Sequence, residues 1–204
     1  NKAFEDKTRA FFKKIDKYFP FILNHDIEIK SKNNFPHSSG IASSASSMAA
    51  LSACLVDFEK MNNSEMSDDF FYKKASFISR IGSGSASRSI CGPVVIWGES
   101  EAYENSNDLY AVNISNQTHE IFKDFNDTIL IIDPGQKKIS STEGHKLMNK
   151  NPFSNQRYDI ARKNVIDLKN ILKSGDLDGF ISIAESEALM IHSLMLTSNP
   201  SYIL

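Results

Sequence analysis

Cysteine is scarce in this sequence, basic charge is not in excess, and long hydrophobic runs are missing. Two cysteines among 204 residues are too few for a disulfide framework, which favours a reducing compartment and hence a cytoplasmic protein. No stretch approaches the roughly 18 consecutive apolar residues of a membrane span, and no signal peptide is recognisable. The net charge of −2 provides no basic surface for nucleic acid. We therefore expect neither a membrane nor a nucleic-acid partner.

The composition that is present is that of an ordinary globular protein. Hydrophobic residues make up 41%, aromatic residues 10% and charged residues 24% of the chain. This length suits one large domain or two small ones, and either can bury a substantial core. The chain begins at Asn1 rather than methionine and stops at the apolar Leu204, so we expect a piece of a longer protein.

Strand and helix patterns are mixed in the first half of the chain, whereas helix patterns dominate the second half. This order favours an α+β fold over a doubly wound sheet. Alternating or β-branched runs predict strands at Asp26–Ser31, Pro93–Trp97, Leu109–Val112 and Thr128–Ile132. Helical spacing predicts helices at Phe4–Tyr18, Met48–Val56, Asp68–Ile81, Glu143–Asn149, Asn155–Leu172 and Asp176–Leu196.

A run of small and hydroxyl residues, His37–Ala45, leads directly into one of the predicted helices. The free N–H groups and the dipole of a helix N-terminus favour an anion, and small side chains let a phosphate approach the backbone. The run contains no Gly-Lys-Ser/Thr and is therefore not a P-loop. On composition alone, a serine-rich capped helix explains it equally well.

A second segment of this kind, Gly82–Ser89, follows a predicted helix. Its glycines permit positive φ and could expose N–H groups as a concave nest, while Ser83 and Ser85 add hydroxyls. Arg88 adds a guanidinium suited to phosphate or carboxylate. The alternative is a flexible surface loop with an incidental arginine. Two such segments in one chain favour anion binding.

These two segments resemble a known family. Asn33–Pro36 followed by Ser39–Ser46 is similar to the phosphate-binding motif of the GHMP kinase superfamily, and Gly82–Ser89 resembles the Gly-Ser-Gly-Ser-Ala-Cys-Arg-Ser segment of its diphosphomevalonate decarboxylase family. Ile139–Gly144 and Glu185–Pro200 resemble two further segments of that family, in the same order. The resemblance implies a GHMP-kinase fold of two domains, both incomplete in this chain. We expect them at residues 1–116, carrying the ATP-phosphate and substrate loops, and at residues 117–204, mostly helical.

The resemblance also implies an activity, cofactors and site residues. The family uses ATP and Mg²⁺ to convert (R)-5-diphosphomevalonate into isopentenyl diphosphate in the mevalonate pathway, so the implied partner is a small-molecule substrate. The oligomeric state does not follow from the sequence, and a homodimer is one open assembly. The residues implied to bind ATP phosphates are Gly40, Ala42, Ser43 and Ser44. The residues implied to bind the substrate are Ser83, Gly84, Ser85, Ala86, Arg88, Ser141 and Thr142.

Some features of the family pattern are absent from the chain. It contains neither the lysine-rich Lys-Tyr-Trp-Gly-Lys run nor the Asp-Ala-Gly-Pro-Asn segment that supplies the catalytic aspartate, and Asp133-Pro134-Gly135 is interpreted as a turn. Catalytic residues are thus not assigned, and the 204-residue chain alone is expected to be inactive. Ser87 replaces the usual cysteine, and Thr142 stands where some members have arginine. Two alternatives stay open: a GHMP small-molecule kinase without decarboxylation, and a non-catalytic protein that binds phosphorylated metabolites.

No other residues form a recognisable catalytic or metal site. The histidines show no metal-ligand spacing with one another or with the cysteines, so no metal ligands are assigned to the protein itself. Cys54 lies in an apolar run and is expected in the core. Cys91 has no base near it in sequence and is not expected to act as a nucleophile.

Overall fold

The structure is a computed structural model that describes residues 2–35, 41–126, 128–130 and 151–202. Its chain divides into two compact units, one of Asn1–Glu99 with Asn105–Ile114 and the other of Ser100–Glu104 with Ser115–Leu204. The α-helices are α1 (Lys2–Ile15), α2 (Ser43–Met61), α3 (Asp68–Gly82), α4 (Ser154–Ser174) and α5 (Leu177–Leu196). The strands are β1 (Val95–Ile96) and β2 (Val112–Asn113). Short 3₁₀ helices lie at Asp16–Tyr18, Pro20–Asn24, Gly84–Ser89, Ser115–Gln117 and Glu120–Phe122.

Helices α1, α2 and α3 surround the hydrophobic core of the first unit. The helical spacing of aromatic and aliphatic residues near the N-terminus places Phe11 and Ile15 of α1 in this core. Met48 and Val56 come from α2, and Ile78 from α3. The helix predicted at Phe4–Tyr18 is confirmed as α1 and the 3₁₀ turn that follows it.

Helix α3 begins where its sequence predicts. Ser67 is the N-cap, and its hydroxyl accepts a hydrogen bond from the N–H of Phe70 at 3.2 Å. Asp68 and Asp69 occupy the first turn, where a carboxylate is favoured by the helix dipole. Because cap, charge and apolar face agree, the predicted start of the helix is confirmed.

Helix α2 is longer than the apolar run that predicted it, and it places Cys54 on the surface. The expectation of Cys54 as a core residue is wrong. The run from Ser43 onward consists almost entirely of small residues and carries little periodicity, so the sequence does not identify which face is buried. Packing against α3 decides that face, and it buries Ser52, Leu55 and Val56 instead.

The sheet of the first unit contains two short strands. β1 and β2 are antiparallel, with Val95 opposite Asn113 and Ile96 opposite Val112. β1 confirms the middle of the strand predicted at Pro93–Trp97, whereas β2 shares only Val112 with the strand predicted at Leu109–Val112. Asp26–Ser31 is not a strand, because no neighbouring strand among the described residues pairs with it. No strand is assigned at residues 128–130 either. The rest of Thr128–Ile132, and all of Glu143–Asn149, lie outside the described residues.

The second unit contains the helix pair α4 and α5. Asp176 caps α5, its carboxylate accepting from the N–H of Gly179 at 3.0 Å, so the predicted helix N-terminus is confirmed. Glu187 of α5 pairs with Arg157 of α4 and accepts from the Asn164 amide of the same helix at 2.7 Å. By length and composition α5 is apolar enough to cross a membrane, and 6% of its apolar 18-residue stretch is buried in the structure.

The first unit ends at Ile114, close to the boundary expected at residue 116. The assignment of residues 1–116 and 117–204 to two GHMP domains stays a prediction.

Candidate functional site

The N-terminus of α2 presents free backbone donors. Ala42 adopts a left-handed conformation with φ 60° and ψ 31°, and its carbonyl accepts from the N–H groups of Ala45 and Ser46 at 2.9 and 3.1 Å. The N–H groups of Ser43 and Ser44 come before the first N–H that bonds within the helix, that of Ala45, and no side-chain cap is found at this end among the described residues. A left-handed residue followed by a helix turns these N–H groups toward one point, which is the geometry of an anion nest.

The two serines of this turn differ in exposure. Ser44 is exposed, so its hydroxyl is available to a ligand. Ser43 is buried, and its carbonyl accepts from the Ser47 hydroxyl at 2.8 Å. The structure therefore favours the backbone N–H of Ser43, rather than its side chain, as a phosphate donor. Gly40, the remaining residue predicted for ATP phosphates, lies outside the described residues.

The segment Gly82–Ser89 is the end of α3 followed by a 3₁₀ helix, and we call it the substrate loop. The expectation that its glycines adopt positive φ is wrong, since the described glycines with positive φ are Gly92, Gly98 and Gly175. The N–H groups of Gly84 and Ser85 begin the 3₁₀ helix and have no acceptor within it. The loop thus offers backbone donors through a short helix turn rather than a glycine nest.

Space, rather than a positive φ, favours glycine at two positions of the substrate loop, strongly at Gly82 and more weakly at Gly84. A Cβ atom at Gly82 would lie 2.6 Å from Sδ of Met48, a fully buried side chain of α2. A Cβ atom at Gly84 would lie 3.3 Å from the ring of Trp97, whose indole N–H donates to the Asp108 carbonyl at 3.1 Å. The loop is therefore packed closely against α2 on one side and Trp97 on the other.

Three polar side chains of the substrate loop have no partner among the residues that the structure describes. They are the hydroxyls of Ser83 and Ser85, both partly exposed, and the exposed guanidinium of Arg88. An arginine without a carboxylate partner carries a full, uncompensated positive charge. Together these groups can donate several hydrogen bonds to one anionic ligand.

Ala86, like Ser87 beside it, is fully buried. Its side chain belongs to the hydrophobic core, and its N–H donates to the Ser83 carbonyl at 2.9 Å. Ala86 thus fixes the shape of the loop, and its direct contact with a substrate stays a prediction. Ser141 and Thr142 lie outside the described residues.

The two segments predicted to bind anions lie side by side in the first unit. Helix α2 packs against the substrate loop, and Ala45, in the first turn of α2, belongs to the same core cluster as Ala86. A phosphorylated ligand at the start of α2 and an anion at the loop could therefore occupy one continuous site.

Sequence reasoning did not identify the residues that hold the substrate loop in place. Ser76 of α3 donates through its hydroxyl to the Ser87 carbonyl at 2.7 Å and accepts from the N–H of Ala111 at 2.8 Å. The Ser87 hydroxyl donates to the Gly84 carbonyl at 2.9 Å. The signal in the sequence is a serine at a core-facing helical position beside Ala75 and Ile78, where an apolar residue is usual.

Neither a metal cluster nor an activated thiol appears in the described part of the chain. No group of three or more histidine, cysteine, aspartate and glutamate side chains is placed to hold a metal ion there. Burial raises the pKa of the Cys91 thiol above its usual range, which disfavours the thiolate a nucleophile needs. The chemistry of the site therefore depends on hydroxyl, backbone N–H and guanidinium donors.

Comparisons with known proteins point to one family. Residues 1–110 match the family model described as the diphosphomevalonate decarboxylase-like N-terminal domain. A curated diphosphomevalonate decarboxylase from Ganoderma lucidum is 32% identical over 187 residues, covering 91% of this chain and 44% of that protein.

Solved structures agree with this match. A mevalonate diphosphate decarboxylase from Staphylococcus aureus superposes with a TM-score of 0.74 at 27% identity, over 97% of this chain and 56% of that one. A protein named MDDEF, solved in complex with MVAPP, AMPPCP and magnesium, gives a TM-score of 0.71 at 25% identity, over 96% and 56% of the two chains. These likenesses confirm the predicted α+β GHMP-kinase fold. The chain spans about half the length of the relatives it matches.

Proposed function

Because this chain belongs to the diphosphomevalonate decarboxylase-like family, we propose that the protein catalyses the ATP-dependent decarboxylation of (R)-5-diphosphomevalonate. The products are isopentenyl diphosphate, ADP, phosphate and carbon dioxide. The observation that carries the proposal is the set of free donors on the substrate loop, Ser83, Ser85 and Arg88, beside the uncapped N-terminus of α2. A substrate with a diphosphate and a carboxylate needs such a set, since burying these charges unpaired is prohibitive.

The donors of α2 fit the phosphates of ATP. Two N–H groups and the exposed Ser44 hydroxyl point from a helix N-terminus, where the helix dipole also favours negative charge. AMPPCP is a non-hydrolysable ATP analogue, so the complex of MDDEF supports ATP and Mg²⁺ as cofactors here. Mg²⁺ prefers oxygen ligands, which the ATP phosphates and the exposed Ser44 hydroxyl would supply here. Bound ATP supplies the phosphoryl group that activates the tertiary hydroxyl of the substrate.

The residues of this chain act by positioning and by charge neutralisation. We assign the carboxylate to Arg88, whose planar guanidinium can hold both carboxylate oxygens, and the diphosphate to Ser83, Ser85 and the N–H groups at the start of the 3₁₀ helix. A carboxylate held in one orientation is aligned with the carbon–oxygen bond that breaks as carbon dioxide leaves. The residue that accepts the hydroxyl proton is not assigned to this chain.

The decisive experiment measures both products with the full-length gene product. Incubation with diphosphomevalonate, ATP and Mg²⁺ is expected to release carbon dioxide and ADP in equal amounts, and to release neither when the substrate or ATP is left out. ADP without carbon dioxide would identify a small-molecule kinase instead. Binding of the substrate with neither product would identify a non-catalytic binding protein. The 204-residue chain alone is expected to release no carbon dioxide.

We also propose that the enzyme acts in the cytoplasm, because the scarcity of cysteine fits a reducing compartment. A homodimer stays one open alternative for its assembly.

A further inference from the structure

We propose that Ser76 is a positioning residue that sets the conformation of the substrate loop, and so the affinity for the anionic substrate. This inference rests on the proposed function. Ser76 lies on α3, outside the loop, and its side chain is fully buried, so it does not touch a ligand. Its effect on the substrate therefore has to pass through the groups it binds.

The Ser76 hydroxyl joins three separate pieces of the first unit. It belongs to α3, it donates to the Ser87 carbonyl of the loop, and it accepts from the N–H of Ala111 immediately before β2. A hydroxyl can donate one hydrogen bond and accept another from a small volume, which neither alanine nor valine can do. All three residues are buried, with exposures of 0% for Ser76, 0% for Ser87 and 4% for Ala111, so water cannot replace a lost bond.

The bond from the Ser76 hydroxyl to the Ser87 carbonyl lies next to Arg88, the residue assigned to the substrate carboxylate. Arg88 follows Ser87 directly, so fixing the Ser87 carbonyl fixes the peptide plane from which the Arg88 side chain departs. The Ser87 hydroxyl in turn binds the Gly84 carbonyl, which fixes the turn that carries Ser85. Through this short chain of bonds, one buried hydroxyl sets the spacing between the arginine and the hydroxyl donors.

A matched control is present on the same helix. Ser79 is also fully buried and lies three residues from Ser76, but its hydroxyl donates at 2.8 Å to the Ser76 carbonyl, within α3. Ser79→Ala therefore removes the same atom at the same burial without removing a bond to the loop.

Steady-state kinetics of the full-length gene product test the proposal. Ser76→Ala is expected to raise KM for diphosphomevalonate about 10-fold or more, since small displacements of positioned donors reduce binding strongly. KM for ATP should change less than about twofold, because α2 is not touched. Ser79→Ala should change both KM values less than about twofold. Equal and small effects of the two variants in an active enzyme would overturn the proposal.

Amide hydrogen exchange provides a second measurement on the same proteins. In Ser76→Ala, the Ala111 N–H and the amides of residues 86–89 should exchange much faster, while Ser79→Ala should keep wild-type protection there. If Ser76→Ala does not fold, Ser76→Cys keeps nearly the same volume with a weaker donor and acceptor, and it should raise the substrate KM about threefold or more.

The outcomes separate this inference from the proposed function. A wild-type enzyme that releases carbon dioxide, with a Ser76 variant of normal KM and normal protection, overturns the role of Ser76 alone. A wild-type protein that releases no carbon dioxide overturns the proposed function, and the role of Ser76 in a substrate site with it.

Discussion

The side chains of Met48 and Trp97 limit the space for a side chain at two positions of the substrate loop. Gly82 is the last residue of α3, where alanine would gain about 1 kcal/mol in helix propensity, but its Cβ would collide with the buried Met48 side chain. Gly84 lies against the Trp97 ring. A repeated Gly-Ser pattern in the sequence suggests conformational freedom, whereas its physical cause here is close packing.

Arg88 is the residue on which substrate charge recognition depends most. Arg88→Ala is expected to reduce kcat/KM by about 100-fold or more, near 3 kcal/mol, because a charged donor to the substrate is lost. Arg88→Lys should recover part of this loss, since lysine keeps the charge but not the two-pronged geometry. Steady-state kinetics on the full-length gene product measure both.

Arg9 is the control for this change of charge. It is exposed on α1 and pairs with Glu5 at 2.9 Å, so Arg9→Ala should leave kcat/KM unchanged. Wild-type kinetics in Arg88→Ala would exclude Arg88 from the substrate site.

The two cysteines should differ in reactivity. Cys54 is exposed, whereas Cys91 is partly buried and its pKa is raised by that burial. A raised pKa means less thiolate at any given pH, so Cys91 should react more slowly with iodoacetamide at pH 8 and gain reactivity only as pH rises further. Mass spectrometry of the labelled peptides measures the two rates. Equal rates in denaturant serve as the control, and faster labelling of Cys91 in the folded protein would contradict the expectation.

At the scale of elements, two ion pairs join α2 to α3, Lys60–Asp68 and Lys74–Glu59, and the second is the more buried. Lys74 of α3 lies 2.6 Å from a carboxylate oxygen of Glu59 on α2, and its ammonium group also lies 4.6 Å from the centre of the Phe19 ring. With side-chain exposures of 16% and 29%, both charges of the ion pair are largely screened from water. Removing one of them leaves the other buried without a partner, which is costly.

Lys74→Met is therefore expected to destabilise the first unit by about 2 kcal/mol in denaturant unfolding, between the values for exposed and fully buried pairs. Lys73 is the matched control, adjacent on the same helix but exposed and paired with Asp69 within the helix. Lys73→Met should leave the unfolding midpoint unchanged, because water replaces an exposed partner. Equal shifts in the two variants would show that the Lys74–Glu59 ion pair stabilises the fold no more than the exposed Lys73–Asp69 pair does.

Pairing decides whether an alternating segment becomes a strand. Asp26–Ser31 alternates as a strand should, yet Ile27 and Ile29 remain 41% and 39% exposed, and no strand in the described part of the chain pairs with this backbone. Val95 and Ile96 have no stronger pattern, but Val112 and Asn113 lie opposite them. An alternating pattern shows which face of a segment is apolar. Whether the segment becomes a strand also depends on a partner strand, which comes from elsewhere in the chain.

At the scale of the molecule, the two units differ in how much of their helices they bury. Helices α2 and α3 of the first unit contribute many buried residues. In the second unit, Leu194 is the one buried residue of α5, and α4 has no buried residue among its described positions. The family model matches the first unit over most of its length, and that unit holds the described candidate site. The chain spans about half the length of the relatives it matches.

The sequence alone determines the helices, their caps and the family. Ser67 and Asp176 cap helices because they precede apolar periodic runs, and the Gly82–Ser89 motif predicts anion binding because few other functions need that spacing of hydroxyls and arginine. These are local properties, encoded within a few residues. Tertiary structure alone decides the rest: that Cys54 faces outward, that Gly82 has no room for a Cβ atom and Gly84 only little, and that Ser76 holds the loop. Each of these depends on atoms distant in sequence, such as Met48, Trp97 and Ala111, whose positions are set only when the helices pack.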